Sequence, residues 1–292
     1  MTTTVSGRYA VADWIETQLL LSEERTIGTA RLNEVAAGNI NISPADIVWG
    51  FGQMKDRHDQ IGDTYPFEVM DGYVKRARDL HKRTYVAMLL MSPKSFTRDI
   101  LPFSDQEIKY YGDKFEELTA KLLEKYLGED SKSLVFGAEN DETRPSDFPG
   151  AVAWLGKKLN IDLGNGPIEK RRKDGGVDVV AWKPFPDKKP GMPVLLTQCT
   201  IGDEFLNKAT DINLNNWNNW LSFPTPPQVI LATPSQIPFG EKWDEITRNA
   251  WLFDRTRLSS CKLSTDEFES LDLEGTLEKR IEEIKVAAED LE

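Results

Sequence analysis

The clearest hydrophobic pattern in the chain lies between Asp113 and Leu127, in the sequence DKFEELTAKLLEKYL. When successive residues are placed at 100° steps, its Phe, Leu and Tyr side chains form one apolar face, and Gly128 follows as a stop signal. Glu116 falls on the edge of that face, whereas Glu117 aligns with charged residues that point to solvent. The pattern predicts an amphipathic helix that holds Glu116 against the core.

Helical spacing also dominates the first hundred residues. Apolar residues recur at this spacing over residues 8–36, and Ser43 and Pro44 form a typical helix start. The segment from Tyr65 to Met91 is interpreted as one long or two shorter helices with basic faces. The stretch SPKSFTRDILPFSDQE, which contains two prolines, follows as the predicted linker. We therefore predict a helical N-terminal domain over residues 1–105.

Apolar strand patterns appear in the second half of the chain. The runs GGVDVVAWKPF and PVLLTQCTIG, at residues 175–185 and 193–202, predict two neighbouring strands, and PQVILAT and AWLFDRTRL predict two more. Helices are predicted before and between them. This order is typical of an α/β fold, with a mixed central sheet flanked by helices, over residues 106–263. Residues 264–292 are predicted to form an acidic helical tail.

Composition places the chain among globular proteins. It has 292 residues, of which 39% are hydrophobic and 29% charged. The longest apolar stretch, Tyr85 to Met91, is too short to span a bilayer, and the first residues lack a secretory pattern. We therefore expect a cytoplasmic protein with no membrane partner. Cys199 and Cys261 lie outside any zinc or disulfide pattern and are predicted to be free thiols.

Charge argues against one class of function. A net charge of −12 does not suit a protein that coats nucleic acid without specificity, because counterion release requires many Lys and Arg on the binding face. A local site is still allowed. The densest basic run, Lys170, Arg171, Arg172 and Lys173, directly precedes the sequence GGVD. Two interpretations stay open for this run, a solvated loop and a phosphate-binding segment.

An acid inside an apolar strand suggests a specific chemistry. Burial of an ionised carboxylate such as Asp178 costs several kcal/mol unless a cation, a proton or a donor compensates it. Alternation places Asp178 and Gln198 on one face if their strands pair as a hairpin. Two oxygen ligands would then converge, as a hard divalent cation requires. The simpler alternatives are an ion pair of Asp178 with Arg171 or Lys183 and a backbone hydrogen bond for Gln198.

The same residues carry a resemblance to a known family. A helix with FE, a strand with GVD and a following strand with QC resemble the core of the PD-(D/E)XK phosphodiesterase superfamily, the restriction-endonuclease-like fold, and its Mrr-like members in particular. The resemblance covers about residues 110–260. The sequence KDGGVDVVAWKPF is also similar to uncharacterised members found among bacterial defence genes. The resemblance implies a restriction-endonuclease-like fold for residues 106–263.

The resemblance assigns roles to individual residues. Glu116 would be the helix acid, Asp178 the strand acid and Gln198 the first position of the (D/E/Q)-x-K tripeptide. Thr200 stands where the superfamily usually has Lys, and Lys208 on the next helix would supply the amine instead. Asp178, Gln198 and the carbonyl of Cys199 would hold Mg²⁺ or Mn²⁺, with Glu116 on a second ion or a water. The implied catalytic set is Glu116, Asp178, Gln198 and Lys208.

The implied function is that of a metal-dependent endonuclease. It would hydrolyse DNA phosphodiester bonds in a bacterial restriction or phage-defence system, with residues 170–173 clamping the phosphates. The expected partners are DNA, a second copy of the chain and a partner defence protein. One alternative is a non-catalytic subunit of the same fold, favoured by Thr200. Another is an interaction scaffold that uses predicted basic helices at 73–83 and the acidic tail.

Three simpler structural interpretations stay open beside these assignments. Glu116 could pair with a lysine on its own helix. Lys208 could be an ordinary surface residue. Trp217 and Trp220 have the spacing of core residues, although exposed tryptophans could stack on bases.

Overall fold

The computed structural model describes residues 8–39, 42–79, 83–92, 100–137, 143–169 and 174–289. These residues form two compact units. Unit 1 contains the described residues within 1–111, 234–238 and 254–292, and unit 2 contains those within 112–233 and 239–253. This grouping differs from the predicted division at residues 105 and 263, because it places the C-terminal segment with the N-terminal residues.

The helices and strands are numbered in chain order. The first part of the chain forms α1 (Arg8–Leu21), β1 (Thr26–Gly28), α2 (Thr29–Asn39), α3 (Pro44–Ile61), a short 3-10 helix (Gly62–Thr64), β2 (Phe67–Met70), β3 (Tyr73–Arg76), α4 (Thr84–Met91) and α5 (Asp105–Leu127). The rest forms β4 (Lys132–Val135), α6 (Phe148–Leu159), β5 (Val179–Trp182), β6 (Val194–Cys199), α7 (Phe205–Lys208), α8 (Leu214–Trp220), β7 (Gln228–Ala232), α9 (Glu241–Thr247), β8 (Trp251–Phe253), α10 (Arg255–Ser260), α11 (Thr265–Glu269) and α12 (Glu274–Glu289).

Unit 1 contains a small sheet that the helical interpretation missed. Strands β1, β3 and β2 form an antiparallel sheet in that order. The predicted helical segment from Tyr65 to Met91 is therefore wrong in its first half and correct at α4. The sequence FEVMDGYVKR carries the missed signal, a strand alternation around an Asp-Gly turn in which Gly72 has φ 77°. The basic helices predicted at 73–83 begin as strand β3.

Helix starts in this part of the chain follow the local sequence. Ser43 caps α3 with a capping box to Asp46, and Pro44 occupies the first turn, as predicted. Helix α5 begins at Asp105, eight residues before the predicted start. Ser104 and Glu107 exchange capping hydrogen bonds there. The Ser104 N–H donates to the Glu107 carboxylate at 2.9 Å, and the Glu107 N–H donates to Ser104 Oγ at 3.3 Å.

A buried cluster of charges lies at the centre of unit 1. Arg255 contacts Asp13 with 2.6 Å between Nη2 and Oδ2, and its side chain is fully buried. Arg57 Nη1 lies 2.7 Å from Asp13 Oδ1 and 2.6 Å from Glu16 Oε1. The hydroxyls of Tyr65 and Tyr85 donate to Glu16. Burial alone would raise the pKa of Asp13, but Arg255 and Arg57 outweigh it and lower that pKa.

Unit 2 is built on a five-stranded mixed sheet in the order β4-β5-β6-β7-β8. The β4–β5 and β5–β6 pairs are antiparallel, whereas the β6–β7 and β7–β8 pairs are parallel. The predicted α/β class with a mixed sheet and helices is confirmed at this level. The four predicted strands are present, whereas β4, in the sequence KSLV, was missed.

The last segment is helical, as predicted, but consists of two helices, α11 and α12. Leu277, Ile281 and Ile284 are buried on α12. No helix in the described part of the chain is long and apolar enough to cross a membrane. Both cysteines are free, which confirms that prediction.

Candidate functional site

The β5–β6 hairpin brings Asp178 and Gln198 together. The register pairs Val179 with Thr197, so Asp178 lies opposite Gln198 at the end of the ladder. Asp178 Oδ2 accepts a hydrogen bond from Gln198 Nε2 at 2.5 Å and another from the Cys199 N–H at 2.7 Å. The backbone N–H of Asp178 donates to Thr197 O at 2.9 Å. The two side chains meet, as expected from the strand alternation, but the amide nitrogen of Gln198 faces the Asp178 carboxylate, not the amide oxygen.

Glu116 reaches the same site from helix α5. A Cβ atom on Gly137 would lie 3.3 Å from Glu116 Oε2, so the glycine leaves room for this carboxylate. The lysine on its own helix turn, Lys114, pairs instead with Glu117 at 2.9 Å. The Glu116 carboxylate forms no hydrogen bond or ion pair with any residue that the structure describes. The interpretation of Glu116 as a surface ion-pair residue is therefore not supported.

The two carboxyl groups have strongly raised pKa values. Burial raises the pKa of Glu116 to about 8, and the negative charge of Asp178 adds to this shift. Burial also raises the pKa of Asp178 to about 7, although the Cys199 N–H and the charge of Lys208 oppose the shift. Acids whose pKa values are raised by burial and by neighbouring negative charge are typical of functional centres.

Two consecutive glycines direct the chain into Asp178. Gly175 and Gly176 have φ 64° and 82°, a region that side chains other than glycine rarely adopt. A Cβ atom on Gly176 would lie 2.6 Å from the carbonyl oxygen of Asp211, so no larger residue fits there. The two glycines of GGVD therefore have a structural role. They let the chain pass close to the backbone of Asp211, and this sets the position of Asp178.

An aromatic cluster supports the glycine turn. Phe136, Phe148, Trp217 and Trp220 pack edge to face, with centroid separations between 5.1 and 6.2 Å. Trp217 Nε1 donates to Gly175 O at 3.1 Å. Both tryptophans are buried, so the interpretation of them as core residues is confirmed.

Lys208 and Lys183, the two lysines considered for this site, form different contacts. Lys208 Nζ pairs with Asp211 Oδ2 at 3.2 Å, close enough to Asp178 to lower its pKa. Lys183 instead donates to Leu127 O at 3.2 Å, at the C-terminal end of α5. It therefore does not neutralise Asp178 in the way that one alternative proposed. Thr200 is buried, and its Oγ1 accepts a hydrogen bond from the Gly202 N–H at 3.1 Å.

Two further sets of residues concern the site: the predicted basic run, and three charged residues that were not predicted to lie near it. The predicted phosphate-binding residues 170–173 lie outside the described residues. Asp174 and Asp211 were not predicted to lie near the site, and their negative charges both raise the pKa of Asp178. Arg144, which was not predicted either, lies 4.7 Å above the Phe136 ring and is attracted by the charge of Asp174. The one sequence signal for these residues was the position of Asp174, directly before GGVD.

The residues at this site include oxygen donors of the kind that a hard divalent cation takes as ligands. Mg²⁺ in proteins takes one or two carboxylates and completes its shell with water and substrate phosphate. Glu116, Asp178, the Gln198 amide and the Cys199 carbonyl are oxygen donors of that kind. Burial raises the pKa of the Cys199 thiol well above its usual range, so its carbonyl is the relevant ligand atom. Within the described residues, no group of three or more His, Cys, Asp or Glu side chains could hold a metal ion.

Comparison of the chain with protein-family models, with curated proteins and with solved structures finds no match. No relative therefore supplies a function or a set of site residues.

The raised pKa values predict that the metal-free protein loses stability as the pH rises. The ordinary pKa values of Asp178 and Glu116 are 3.8 and 4.5, and their values in the fold are about 7 and 8. Between these limits the folded state binds more protons than the unfolded state, so the free energy of unfolding falls with pH. Each group contributes up to about 1.4 kcal/mol per pH unit. Thermal unfolding in EDTA at about pH 5.5 and about pH 8.5 measures the effect.

A matched pair of variants isolates Glu116 in this experiment. The gain in stability of Glu116→Gln over the wild type should grow with pH, because Gln carries no charge to desolvate. Glu34→Gln, at an exposed acid paired with Arg31 in unit 1, should keep the wild-type pH dependence. Parallel pH curves for Glu116→Gln and the wild type would show that Glu116 is not desolvated.

Proposed function

We propose that unit 2 is a metal-dependent nuclease that hydrolyses DNA phosphodiester bonds. One observation carries the proposal: Asp178 and Gln198 meet across two strands at a sheet end, and the Glu116 carboxylate from α5 lies beside them without a hydrogen-bond partner in the described part of the chain. Burial raises the pKa of both carboxyl groups, and the charge of Lys208 offsets this only in part at Asp178. A divalent ion would supply the positive charge that buried carboxylates require.

Each residue has a role in this proposal. Asp178 directs Oδ2 to Gln198 and Cys199, so Oδ1 is available to Mg²⁺ or Mn²⁺. The Gln198 amide and the Cys199 carbonyl would complete the protein ligands, with Glu116 on the ion or on its water. When bound, the ion supplies a polarised phosphate oxygen and a water of lowered pKa. The positive charge of Lys208 lies beside Asp178. It would stabilise the negative charge that develops on the phosphate in the transition state.

The finer fold assignment is part of the same proposal. A helix acid, a strand acid and a glutamine on the next strand occur in the order typical of the restriction-endonuclease-like, Mrr-like nucleases. They lie on a mixed sheet with an antiparallel β4–β5–β6 meander. A restriction or phage-defence setting, a homodimer with two sites on one duplex, and a partner defence protein belong to this proposal.

The first test is a nuclease assay of the full chain. Supercoiled plasmid and single-stranded DNA should be cut in Mg²⁺ or Mn²⁺ and remain intact in EDTA, because the ion supplies the activated water. Gel analysis of product formation against time measures the rate. Equal cutting with and without EDTA would contradict a metal-dependent mechanism, since the site residues alone provide no activated water.

One observation favours a second candidate function, a non-catalytic subunit that binds DNA. Thr200 takes the place of the usual lysine, is buried and accepts a hydrogen bond in a turn. Lys208, the substitute amine, already pairs with Asp211. Calorimetric titration with Mg²⁺ and Mn²⁺ separates the two functions. The nuclease binds the ion at Asp178, whereas the binding subunit gives no heat that depends on Asp178.

A further inference from the structure

A second polar cavity lies in unit 1, apart from the residues of the proposed nuclease site. Its volume is about 410 Å³, within the range of about 300–1,000 Å³ that is typical of small-molecule sites. The start of α4 and the segment from Ser259 to Phe268 line it. The residues that matter for its chemistry are Asp79, Arg83, Thr84, Ser259, Lys262 and Ser264.

The N-terminus of α4 opens on this cavity. Arg83, Thr84 and Tyr85 all line it. Arg83 is the N-cap residue, and no side chain caps the helix there. The first helical hydrogen bond runs from the Ala87 N–H to Arg83 O, so the N–H groups before Ala87 have no acceptor within the helix. Such N–H groups and the helix dipole favour a bound anion.

A buried hydroxyl in the cavity wall provides an independent observation. Ser259 is 2% exposed, and its Oγ has no hydrogen-bond partner among the described residues. Unpaired buried polar groups are rare and normally destabilising, because the group loses its hydrogen bonds to water. A bound ligand that accepts or donates a hydrogen bond here would satisfy the Ser259 hydroxyl.

The charges of the cavity favour an anion although the chain is acidic overall. Among the described residues that line the cavity, Arg83 and Lys262 carry positive charge and Asp79 is the one carboxylate. Neither Arg83 nor Lys262 pairs with an acid anywhere in the described part of the chain. Unpaired basic groups beside a helix N-terminus in a chain of net charge −12 are therefore available to an anionic ligand.

The wall of the cavity is held rigidly by the buried charge cluster. Tyr85 lines the cavity and is fully buried. Its hydroxyl donates to Glu16 at 3.0 Å and accepts from Arg57 Nη1 at 3.1 Å. These hydrogen bonds hold the first turn of α4, so the N–H groups are oriented before any ligand binds.

We propose that this cavity binds the phosphate group of a small phosphorylated molecule. The first N–H groups of α4 and the Arg83 guanidinium take the phosphate oxygens, with Lys262 as a further positive charge. The Ser259 hydroxyl donates to the ligand. The volume exceeds what one phosphate requires, so the site takes a sugar or nucleoside phosphate in preference to a free ion.

The test is calorimetric titration of the full chain, in EDTA, with AMP, ribose 5-phosphate, inorganic phosphate and adenosine. The phosphorylated probes should bind saturably and adenosine should not. Arg83→Ala should weaken that binding at least about tenfold, the effect of one lost charge-assisted hydrogen bond. Asp178→Asn should leave it unchanged, which separates this cavity from the proposed nuclease site. Binding of inorganic phosphate alone would support the phosphate chemistry and exclude the larger ligand.

A variant that does not disturb the fold completes the test. Ser259→Ala removes a hydroxyl that has no partner in the described residues, so the unfolding temperature of the free protein should stay the same or rise. Its affinity for ribose 5-phosphate should fall several-fold. Arg31→Ala, at an exposed arginine paired with Glu34, is the control and should bind as the wild type does. Absence of saturable phosphate binding, or wild-type affinity in Arg83→Ala, would overturn the proposal.

Discussion

In Asp178→Asn, metal-dependent DNA hydrolysis is expected to fall by about 10²–10³-fold or more, while the protein stays folded. The substitution keeps the size of the side chain and an oxygen that can accept the Cys199 N–H. It removes the negative charge that a divalent cation requires. Because the Asp178 carboxylate is desolvated, with a pKa of about 7, its neutral replacement should leave metal-free stability at about pH 8 equal or higher.

Rates of DNA cleavage and urea unfolding curves, measured on the same samples, check both parts of this expectation. Asp187→Asn is the matched control, because Asp187 lies on the loop of the same hairpin and pairs with Lys189 at 3.5 Å near the surface. It should cut DNA at the wild-type rate. If Asp178→Asn cut DNA as fast as Asp187→Asn, the nuclease site would lie elsewhere in the chain.

In Arg255→Ala, the free energy of unfolding of the protein is expected to fall by about 3–5 kcal/mol. Arg255 is fully buried, and its Nη2 lies 2.6 Å from Asp13 Oδ2. Its removal leaves a buried carboxylate with less positive charge to compensate it. The pKa of Asp13, now lowered by Arg255 and Arg57, should rise in the variant, so the loss of stability should be larger at about pH 8 than at about pH 5.

Chemical denaturation of the wild type and four variants, Arg255→Ala, Asp13→Ala, their double variant and a control, measures this effect and its origin. Arg31→Ala, at an exposed arginine of unit 1 paired with Glu34, should change stability by about 0.5 kcal/mol or less. The double variant Asp13→Ala, Arg255→Ala should lose less stability than the sum of the single losses, because it leaves no unpaired charge at Asp13. Additive losses would contradict a direct coupling between Asp13 and Arg255.

Local patterns predicted the part of the site that lies within one hairpin. Asp178 and Gln198 were expected to meet because strand alternation puts both on one face, and the register places them opposite each other. The same reasoning missed β4 and the β2–β3 hairpin. Four-residue strands are too short to establish an alternation of apolar and polar residues with certainty. The basic residues that follow Asp71 and Gly72 were interpreted as one face of a helix.

The sequence by itself determined the α/β class, the amphipathic helix that carries Glu116 and the apolar strands that carry Asp178 and Gln198. Each of these follows from neighbours a few positions apart. Only the tertiary structure decided that Glu116 approaches Asp178, that Lys183 binds the end of α5, and that Arg255 is buried against Asp13. These contacts join residues from 56 to 242 positions apart. Their partners are selected by packing and by the need to compensate buried charge, which no local pattern records.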